Sequence, residues 1–188
     1  AAQAQAAKYE RREADIQYGT NPCSEIILRP KQFCNLSEVV VKETDTIETL
    51  ETKIELATIL GTIQSCFTSL KGLSSQWTKN TEEERLLGVS LTGIMDNKLM
   101  SNKTSDDLGA ILNALREHAV KTNVLWAKKL GIEPSAAITC VKPSGTVSQL
   151  VNAASGIHPR HNKWYIRTIR ADKKDPLTQF LIDQGFPY

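Results

Sequence analysis

Hydrophobic and polar positions along this chain follow two periods, and each predicts one kind of element. Short apolar or alternating segments predict strands at residues 32–41, 136–141 and 164–170. Residues 85–96 fit either a strand or a helix. Longer stretches with apolar residues every three or four positions predict helices between these segments. Because strands and helices alternate, the sequence predicts an α/β architecture with parallel neighbouring strands.

Two helices are expected in the first half of the chain. Residues 2–17 are rich in helix-forming Ala, Gln, Glu and Arg. A longer helix follows the candidate N-caps Thr44, Asp45 and Thr46. Its apolar positions form one stripe that is expected to be buried: Ile47, Leu50, Ile54, Ala57, Leu60, Ile63, Phe67 and Leu70.

Helix start and end signals mark the remaining helices. Thr81-x-x-Glu84 resembles a capping box at a helix start. A helix from about Ser105 has Asp106 and Asp107 in its first turn, and it ends at Lys128, Lys129 and Gly131, a polarity that the helix dipole favours. Residues 146–154 predict a helix start, and residues 175–185 predict a helix with Pro at its first position.

Composition is that of one globular domain with a sizeable core. The chain has 188 residues, of which 40% are hydrophobic and 23% charged. The net charge of +2 argues neither for nor against a nucleic-acid partner, and none is expected. No apolar run approaches the ~18 residues of a membrane span, so no membrane association is expected. The start has neither an initiator Met nor the order of a signal peptide, which predicts an excerpt of a longer, cytoplasmic protein.

Cysteines and histidines show no metal-ligand pattern. The four cysteines form no CxxC pair, and without a secretory signal a reducing setting is expected. Cys66 and Cys140 are interpreted as core residues, and Cys34 taken alone as a buried strand thiol. His158 and His161 are interpreted as loop residues because no other ligand lies nearby in sequence. We therefore expect no metal site made of protein ligands.

The segment Asn21-Pro22-Cys23-Ser24-Glu25 brings an amide, a thiol and a carboxylate together. Pro22 disfavours helix, and in an extended chain Asn21, Cys23 and Glu25 share one face. A carboxylate can act as a general base, an amide can hydrogen-bond hydroxyls, and a thiol offers nucleophilic or redox chemistry. The alternative is a surface turn whose cysteine is free, and spacing alone favours that alternative.

The segment Pro143-Ser144-Gly145-Thr146-Val147 joins a predicted strand to a predicted helix. Free backbone N–H groups at a helix start suit a phosphate. Ser144 and Thr146 can add hydroxyl donors, and Gly145 lets the backbone approach an anion closely. Most strand–turn–helix joints bind nothing, so the pattern alone is a weak indication of a phosphate site.

Both segments resemble motifs of ribonucleotide reductases. Residues 21–39, NPCSEIILRPKQFCNLSEV, are similar over their whole length to the active-site loop of that family, which carries Asn-x-Cys-x-Glu. Residues 143–146 resemble the family's Pro-Ser/Thr-Gly/Ala-Thr loop, which holds the substrate phosphates. Residues 81–96, between the two motifs, also follow the family pattern. The resemblance covers the chain from about Gly19 to its last residue.

The resemblance implies a role for each residue of the first motif. In the family, the loop cysteine carries a thiyl radical that abstracts the ribose 3′ hydrogen. The glutamate deprotonates the 3′ hydroxyl, and the asparagine hydrogen-bonds the substrate as the 2′ hydroxyl leaves as water. By position these roles fall to Cys23, Glu25 and Asn21. A redox-active cysteine on the following strand matches Cys34, and its disulfide partner belongs to an upstream strand outside this chain.

The resemblance also implies a fold, namely part of a ten-stranded α/β barrel with the Cys23 loop threaded through its middle. Residues 1–188 would then be a single partial domain, mainly the second half of that barrel. We expect the chain to be inactive alone. The other redox cysteine, the allosteric effector region and the cysteines that re-reduce the site would lie in the remainder of its own polypeptide.

Residues 156–167, GIHPRHNKWYIR, are similar to class II enzymes, which are monomeric, depend on adenosylcobalamin and reduce ribonucleoside triphosphates. This implies adenosylcobalamin as cofactor, a ribonucleotide substrate and a dithiol reductant such as thioredoxin. Two alternatives stay open. One is the large subunit of a class I ribonucleoside-diphosphate reductase. The other is a non-catalytic α/β module that binds nucleotide phosphates through residues 143–147.

Overall fold

The fold is that of a computed structural model, which describes residues 2–8, 11–101 and 104–188. Its helices and strands are, in chain order, α1 (Ala2–Ala6), β1 (Gly19–Thr20), β2 (Ile27–Leu28), β3 (Asn35–Val40), α2 (Ile47–Gln64), α3 (Ser75–Glu84), β4 (Leu87–Thr92), a 3-10 helix (Ile94–Asp96), α4 (Lys98–Ser101), α5 (Ser105–Leu130), α6 (Val147–Leu150) and α7 (Pro176–Asp183).

The central layer is a parallel sheet. Strands β3 and β4 pair along their whole length, from Asn35 opposite Leu87 to Val40 opposite Thr92. Residues 137–140 run parallel to β4 on its other edge, where the Val89 N–H donates to the Ile138 carbonyl at 2.8 Å. The predicted α/β architecture with parallel neighbours is therefore confirmed. Residues 85–96 form strand β4 followed by the short 3-10 helix.

The two long helices, α2 and α5, pack on one face of this sheet. Alternate side chains of a strand point to opposite faces, so each strand sends one set toward the helices. The core that results contains Val39, Val41, Leu50, Ile54, Leu87, Val89, Met100, Leu115, Ala119 and Ile138. The other set, which includes Glu38, Ser90 and Thr92, points away from the helices and forms a polar face.

Helix α2 starts where the sequence predicts, but only the first part of its apolar stripe is buried. Thr46 is the N-cap, and its hydroxyl and that of Thr49 each accept a hydrogen bond from the other residue's backbone N–H. Further along the helix, apolar positions such as Leu60 are exposed, while polar and small residues are buried in their place: Thr58, Gly61 and Thr62. The expected stripe is wrong there because Leu87 packs directly against Gly61. The helix ends at Gln64, so Phe67 and Leu70 of the expected stripe lie beyond it.

The expected capping box at residues 81–84 is also wrong. Helix α3 ends at Glu84, so Thr81 and Glu84 lie in its last turn. The Glu84 carboxylate is buried and paired with Arg12, with Arg12 Nη2 at 3.0 Å from Glu84 Oε2. Gln32 Nε2 donates to the same oxygen at 2.8 Å. Glu84 therefore ties three segments together instead of capping a helix.

Two further elements differ from expectation near the ends of the chain. Helix α1 stops at Ala6, well short of the predicted residue 17, and Arg12 turns its side chain into the Glu84 pair; Tyr9 and Glu10 lie outside the described residues. Residues 164–170 form no strand because no other described segment pairs with them. Helix α5 ends before Gly131 as predicted, and α7 starts at Pro176 as predicted. Asp106, expected in the first turn of α5, has its side chain outside what the structure describes.

Among the described residues, no helix combines the length and the hydropathy that crossing a membrane requires.

Candidate active site

The first motif is the loop of a β-hairpin. Strands β1 and β2 pair antiparallel, with Gly19 opposite Leu28. In the loop between them, the Ser24 N–H donates to the Asn21 carbonyl at 2.9 Å, and Asn21 Oδ1 accepts from the Ile26 N–H at 3.0 Å. The extended conformation expected here is therefore wrong, because the Asn21 side chain bonds the backbone and closes a turn.

The turn separates the groups that an extended chain would align. Cys23 is exposed at the tip of the loop. The Glu25 side chain is only 3% exposed and points into the protein. Ser24, between them, has a φ of +64°, a left-handed conformation that a non-glycine residue rarely adopts. Cys23 and Glu25 thus flank a tight reversal and face different surroundings.

Glu25 joins Cys34 and Lys142 in a charged cluster. Lys142 Nζ lies 3.9 Å from Glu25 Oε1. Neither Glu25 oxygen has a hydrogen-bond partner among the described residues, although both are buried. Burial, together with the nearby Glu25 charge, raises the pKa of the Cys34 thiol to about 11, and the Lys142 charge opposes the rise. Cys34 is therefore held as a protonated thiol next to a buried carboxylate.

Cys140 belongs to the same cluster and not to the apolar core. Burial, together with the nearby Cys34 and Glu25, raises the pKa of its thiol to about 12. The Cys140 Sγ lies over Gly88 of β4. A side chain at position 88 would not fit, because its Cβ would lie 3.1 Å from this sulfur and 2.5 Å from Leu36 Cδ2. Only a glycine leaves room for this approach. The interpretation of Cys140 as a core residue is wrong, because the residue is only partly buried and lies outside the buried apolar cluster.

The second motif, residues 143–147, follows the segment that pairs with β4. Two of the donors expected to be free for an anion are already used. The Ser144 hydroxyl donates to Glu38 Oε2 at 3.0 Å, and the Gly145 N–H donates to Ser155 Oγ at 3.0 Å. The expected helix is the single turn α6. Gly145 has a φ of +55°, and Thr146 and Val147 are exposed, so the loop is open on its outer side.

An ion pair that sequence reasoning missed holds the segment behind this loop. Arg160 donates to both oxygens of Asp96, at 2.8 and 3.0 Å. Asp96 also accepts from the Ala154 N–H at 2.7 Å. Burial raises the pKa of Asp96, but these hydrogen bonds outweigh burial and hold the pKa below its usual value. Residues 152–156 are thereby fixed at the carboxyl end of β4.

His158 and His161 lie exposed in the loop after this segment. Within the ranges that the structure describes, no group of three His, Cys, Asp or Glu side chains could hold a metal ion. The titratable side chains that do lie close together are those of the cluster described above, on the polar face of the sheet: Glu25, Cys34, Cys140 and Lys142.

Several known proteins of one class are similar to this chain. No protein-family model matches it. It is 31% identical over 194 residues to the adenosylcobalamin-dependent ribonucleoside-triphosphate reductase of Levilactobacillus brevis. It is 28% identical over 200 residues to the enzyme of that name from Lactobacillus delbrueckii subsp. bulgaricus, and 26% over 171 residues to that of Euglena gracilis. These matches take in 89%, 93% and 89% of this chain, but 25%, 26% and 22% of the relatives.

A solved structure agrees with these relatives. The crystal structure of a B12-dependent, class II ribonucleotide reductase matches with a TM-score of 0.63 and 26% identity, over 77% of this chain and 23% of that one. The chain is therefore similar, in sequence and in fold, to part of a ribonucleotide reductase. The particular relatives are adenosylcobalamin-dependent ribonucleoside-triphosphate reductases, so the class II resemblance is confirmed. The chain spans about a quarter of the length of the curated relatives it matches.

Proposed function

We propose that the protein containing this chain reduces ribonucleotides, in particular ribonucleoside triphosphates, to 2′-deoxyribonucleotides for DNA synthesis. The observation that carries the proposal is the buried Glu25 carboxylate, which lies beside the Cys34 thiol and directly follows a hairpin tip with an exposed Cys23. Residues 1–188 are one partial domain, mainly the second half of a ten-stranded α/β barrel. Their three parallel segments are consistent with such a barrel.

Cys23 is the residue that carries the radical and abstracts the 3′ hydrogen of the ribose. Its exposure at the loop tip gives a substrate access to the sulfur. Glu25 takes the proton of the 3′ hydroxyl. Because its buried oxygens accept no hydrogen bond from the described residues, they keep the capacity to accept one from a ribose. Asn21 uses Oδ1 on the Ile26 N–H, which leaves its Nδ2 group as the donor to the substrate.

Cys34 supplies reducing equivalents. In this role its thiol and that of a cysteine outside this chain give up two hydrogens in total and become a disulfide. The raised pKa of Cys34 supports the role, because it keeps the sulfur protonated at neutral pH. A dithiol reductant such as thioredoxin then restores the thiol pair, through cysteines in the remainder of the polypeptide.

Residues 143–147 hold the substrate phosphates. The loop lies at the carboxyl end of a parallel segment, where open α/β sheets bind their ligands. Ser144 exchanges its bond to Glu38 for one to a phosphate oxygen when the nucleotide binds, since a hydroxyl can donate to only one of them. The exposed residues Thr146 and Val147 complete the contact.

The exposed Cys23 thiol is the feature of this chain that fits adenosylcobalamin as cofactor. When bound, the cofactor supplies the radical by homolysis of its cobalt–carbon bond. The Cys23 thiol offers an exposed sulfur to which that radical can be passed. No described residue is assigned to the corrin ring, which the remainder of the polypeptide would hold.

Class II is favoured over class I because the relatives described above are adenosylcobalamin-dependent enzymes by name. The class I alternative requires a radical-donating second subunit and is indifferent to adenosylcobalamin. The non-catalytic alternative requires only residues 143–147. It gives no reason for a buried carboxylate and two partly buried thiols on the same face of the sheet.

Full-length protein assayed with adenosylcobalamin, a dithiol and a ribonucleoside triphosphate tests the proposal. We expect deoxynucleotide formation that depends on adenosylcobalamin and is abolished by Cys23→Ser, because a serine hydroxyl does not replace the thiol as radical carrier. Cys66→Ser is the matched control, since Cys66 is also exposed but lies beyond the end of α2, away from the cluster. Turnover that survives Cys23→Ser would remove the radical role, and cobalamin-independent turnover would support class I.

A further inference from the structure

We propose that Lys142 is a positioning residue for Glu25 and that it links the base to the phosphate loop. The inference rests on the proposed function, because it assigns a partner to the group that takes the 3′ proton. Neither motif includes Lys142, which lies immediately before Pro143 in sequence.

The first support is the surroundings of the Glu25 carboxylate. A buried carboxylate is unfavourable unless it is paired or hydrogen-bonded. Glu25 is 3% exposed, and its two oxygens accept no hydrogen bond from the described residues. The Lys142 ammonium, 3.9 Å from Oε1, is the cation that compensates it within the part of the chain described. Without that cation, a charged carboxylate buried at this position would be unpaired and therefore unfavourable.

The second support is that Lys142 itself is fixed on both sides. Its backbone N–H donates to Ser90 Oγ at 2.9 Å, which ties it to β4. Its carbonyl packs against Gly156, where an added Cβ would lie 3.2 Å away. Gly156 in turn donates its N–H to Thr92 Oγ1 at 2.8 Å. The backbone of Lys142, from which its side chain extends, is therefore held in place by the sheet and by residues 152–156.

The third support is that the charge of Lys142 reaches the rest of the cluster. Burial dominates the raised pKa values of Cys34 and Cys140, and Lys142 opposes the rise at both thiols. Its side chain is 29% exposed, so it borders both the cluster and solvent. The Lys142 ammonium therefore pairs with Glu25, while the Lys142 backbone continues directly into Pro143 of the phosphate loop.

The test uses the full-length protein and compares Lys142→Met with Lys142→Arg. Removing the charge should lower kcat about 10²-fold, the cost of misplacing a catalytic group by about 1 Å, with KM for the ribonucleoside triphosphate nearly unchanged. Lys142→Arg should restore most of kcat because it returns a cation of similar reach. Lys98→Met is the matched control, since Lys98 is 79% exposed and pairs only with the exposed Glu43 among the described residues.

Each other outcome has a defined meaning. An unchanged kcat in Lys142→Met, with turnover abolished in Cys23→Ser, would overturn the inference and leave the proposed function standing. A raised KM with unchanged kcat would make Lys142 a phosphate ligand and also overturn the inference. Turnover that persists in Cys23→Ser would remove both. If Lys142→Met does not fold, Lys142→Gln replaces it, and equal kcat values for the Gln and Arg variants overturn the inference.

Discussion

The four cysteines divide into two pairs by their surroundings. Cys23 and Cys66 are exposed, so the interpretation of Cys66 as a core residue is wrong: α2 ends at Gln64, just before it. Cys34 and Cys140 are partly buried on the polar face of the sheet, with pKa values raised to about 11 and about 12 by burial and by nearby negative charge. Thiolates are the reactive form of cysteine, so the second pair is chemically quiet at neutral pH.

Alkylation of the folded 188-residue chain should follow this division. At pH 8, iodoacetamide should modify Cys23 and Cys66 first, because Cys34 and Cys140 are protonated and shielded. Labelling of Cys34 should rise about tenfold per pH unit until its pKa near 11, as the thiolate fraction grows. Quantifying the labelled peptides by mass spectrometry measures this. Equal labelling of Cys34 and Cys23 in the folded chain at pH 8 would contradict the account, and the urea-unfolded chain is the control.

At the scale of residues, sequence identifies the motif but not its geometry. The residue types Asn21, Cys23 and Glu25 carry the chemistry in any conformation. Their arrangement depends on whether Asn21 bonds the local backbone, and spacing does not decide that. Cys140 and Lys142 were missed because their neighbour Glu25 is distant in sequence and reaches them only through the packing of the hairpin on the sheet.

At the scale of elements, a buried ion cluster joins the hairpin to the end of α3. Glu84 is fully buried and binds Arg12 at 3.0 Å and Gln32 at 2.8 Å. Arg12 also donates to the carbonyl of Ile27 in β2 at 2.8 Å. The cluster therefore fixes the strand that follows the Cys23 loop.

Replacing Glu84 should destabilise the fold strongly. Glu84→Gln leaves the buried Arg12 without its counter-charge, which costs about 3–5 kcal/mol. Glu83→Gln is the matched control, because Glu83 is 44% exposed and its pair with Arg29 contributes about 0–1 kcal/mol. Urea unfolding of the two variants gives the comparison. Similar free energies of unfolding for both variants would show that the Glu84 cluster does not hold the hairpin.

Periodicity predicts where elements lie better than which face they bury. Helix α2 begins where its N-caps indicate, yet its later buried positions are Thr58 and Thr62. The Thr62 hydroxyl donates to the Thr58 carbonyl at 2.7 Å and accepts from Asn123 Nδ2 of α5 at 2.9 Å. A buried polar side chain such as that of Thr62 is tolerated when its hydrogen bonds are satisfied, and hydrophobic patterning does not show this.

At the scale of the whole molecule, the chain leaves large apolar side chains exposed. Large apolar side chains that are exposed close together in sequence, such as Trp164, Ile166 and Ile169, indicate contact with another surface. The exposed set includes Leu60, Phe67, Trp164, Ile166, Ile169 and Phe180. We expect the remainder of the polypeptide to cover these side chains, in keeping with relatives about four times as long.

Physical patterning and family resemblance gave different parts of the account. Alternating strands and helices predicted the parallel α/β sheet, which β3 and β4 confirm. The expected ten-stranded barrel came from resemblance alone, and pairing within the described residues extends to three parallel segments. Residues 164–170 alternate as a strand would, but a strand needs a neighbour that hydrogen-bonds it, and period alone does not supply one.

Freeze-quench electron paramagnetic resonance tests most directly the central claim that Cys23 carries the radical. Full-length protein would be mixed with adenosylcobalamin and a ribonucleoside triphosphate and frozen within milliseconds. The account predicts a sulfur-centred radical in the wild type and in Cys66→Ser, and none in Cys23→Ser. The same radical in Cys23→Ser would contradict it.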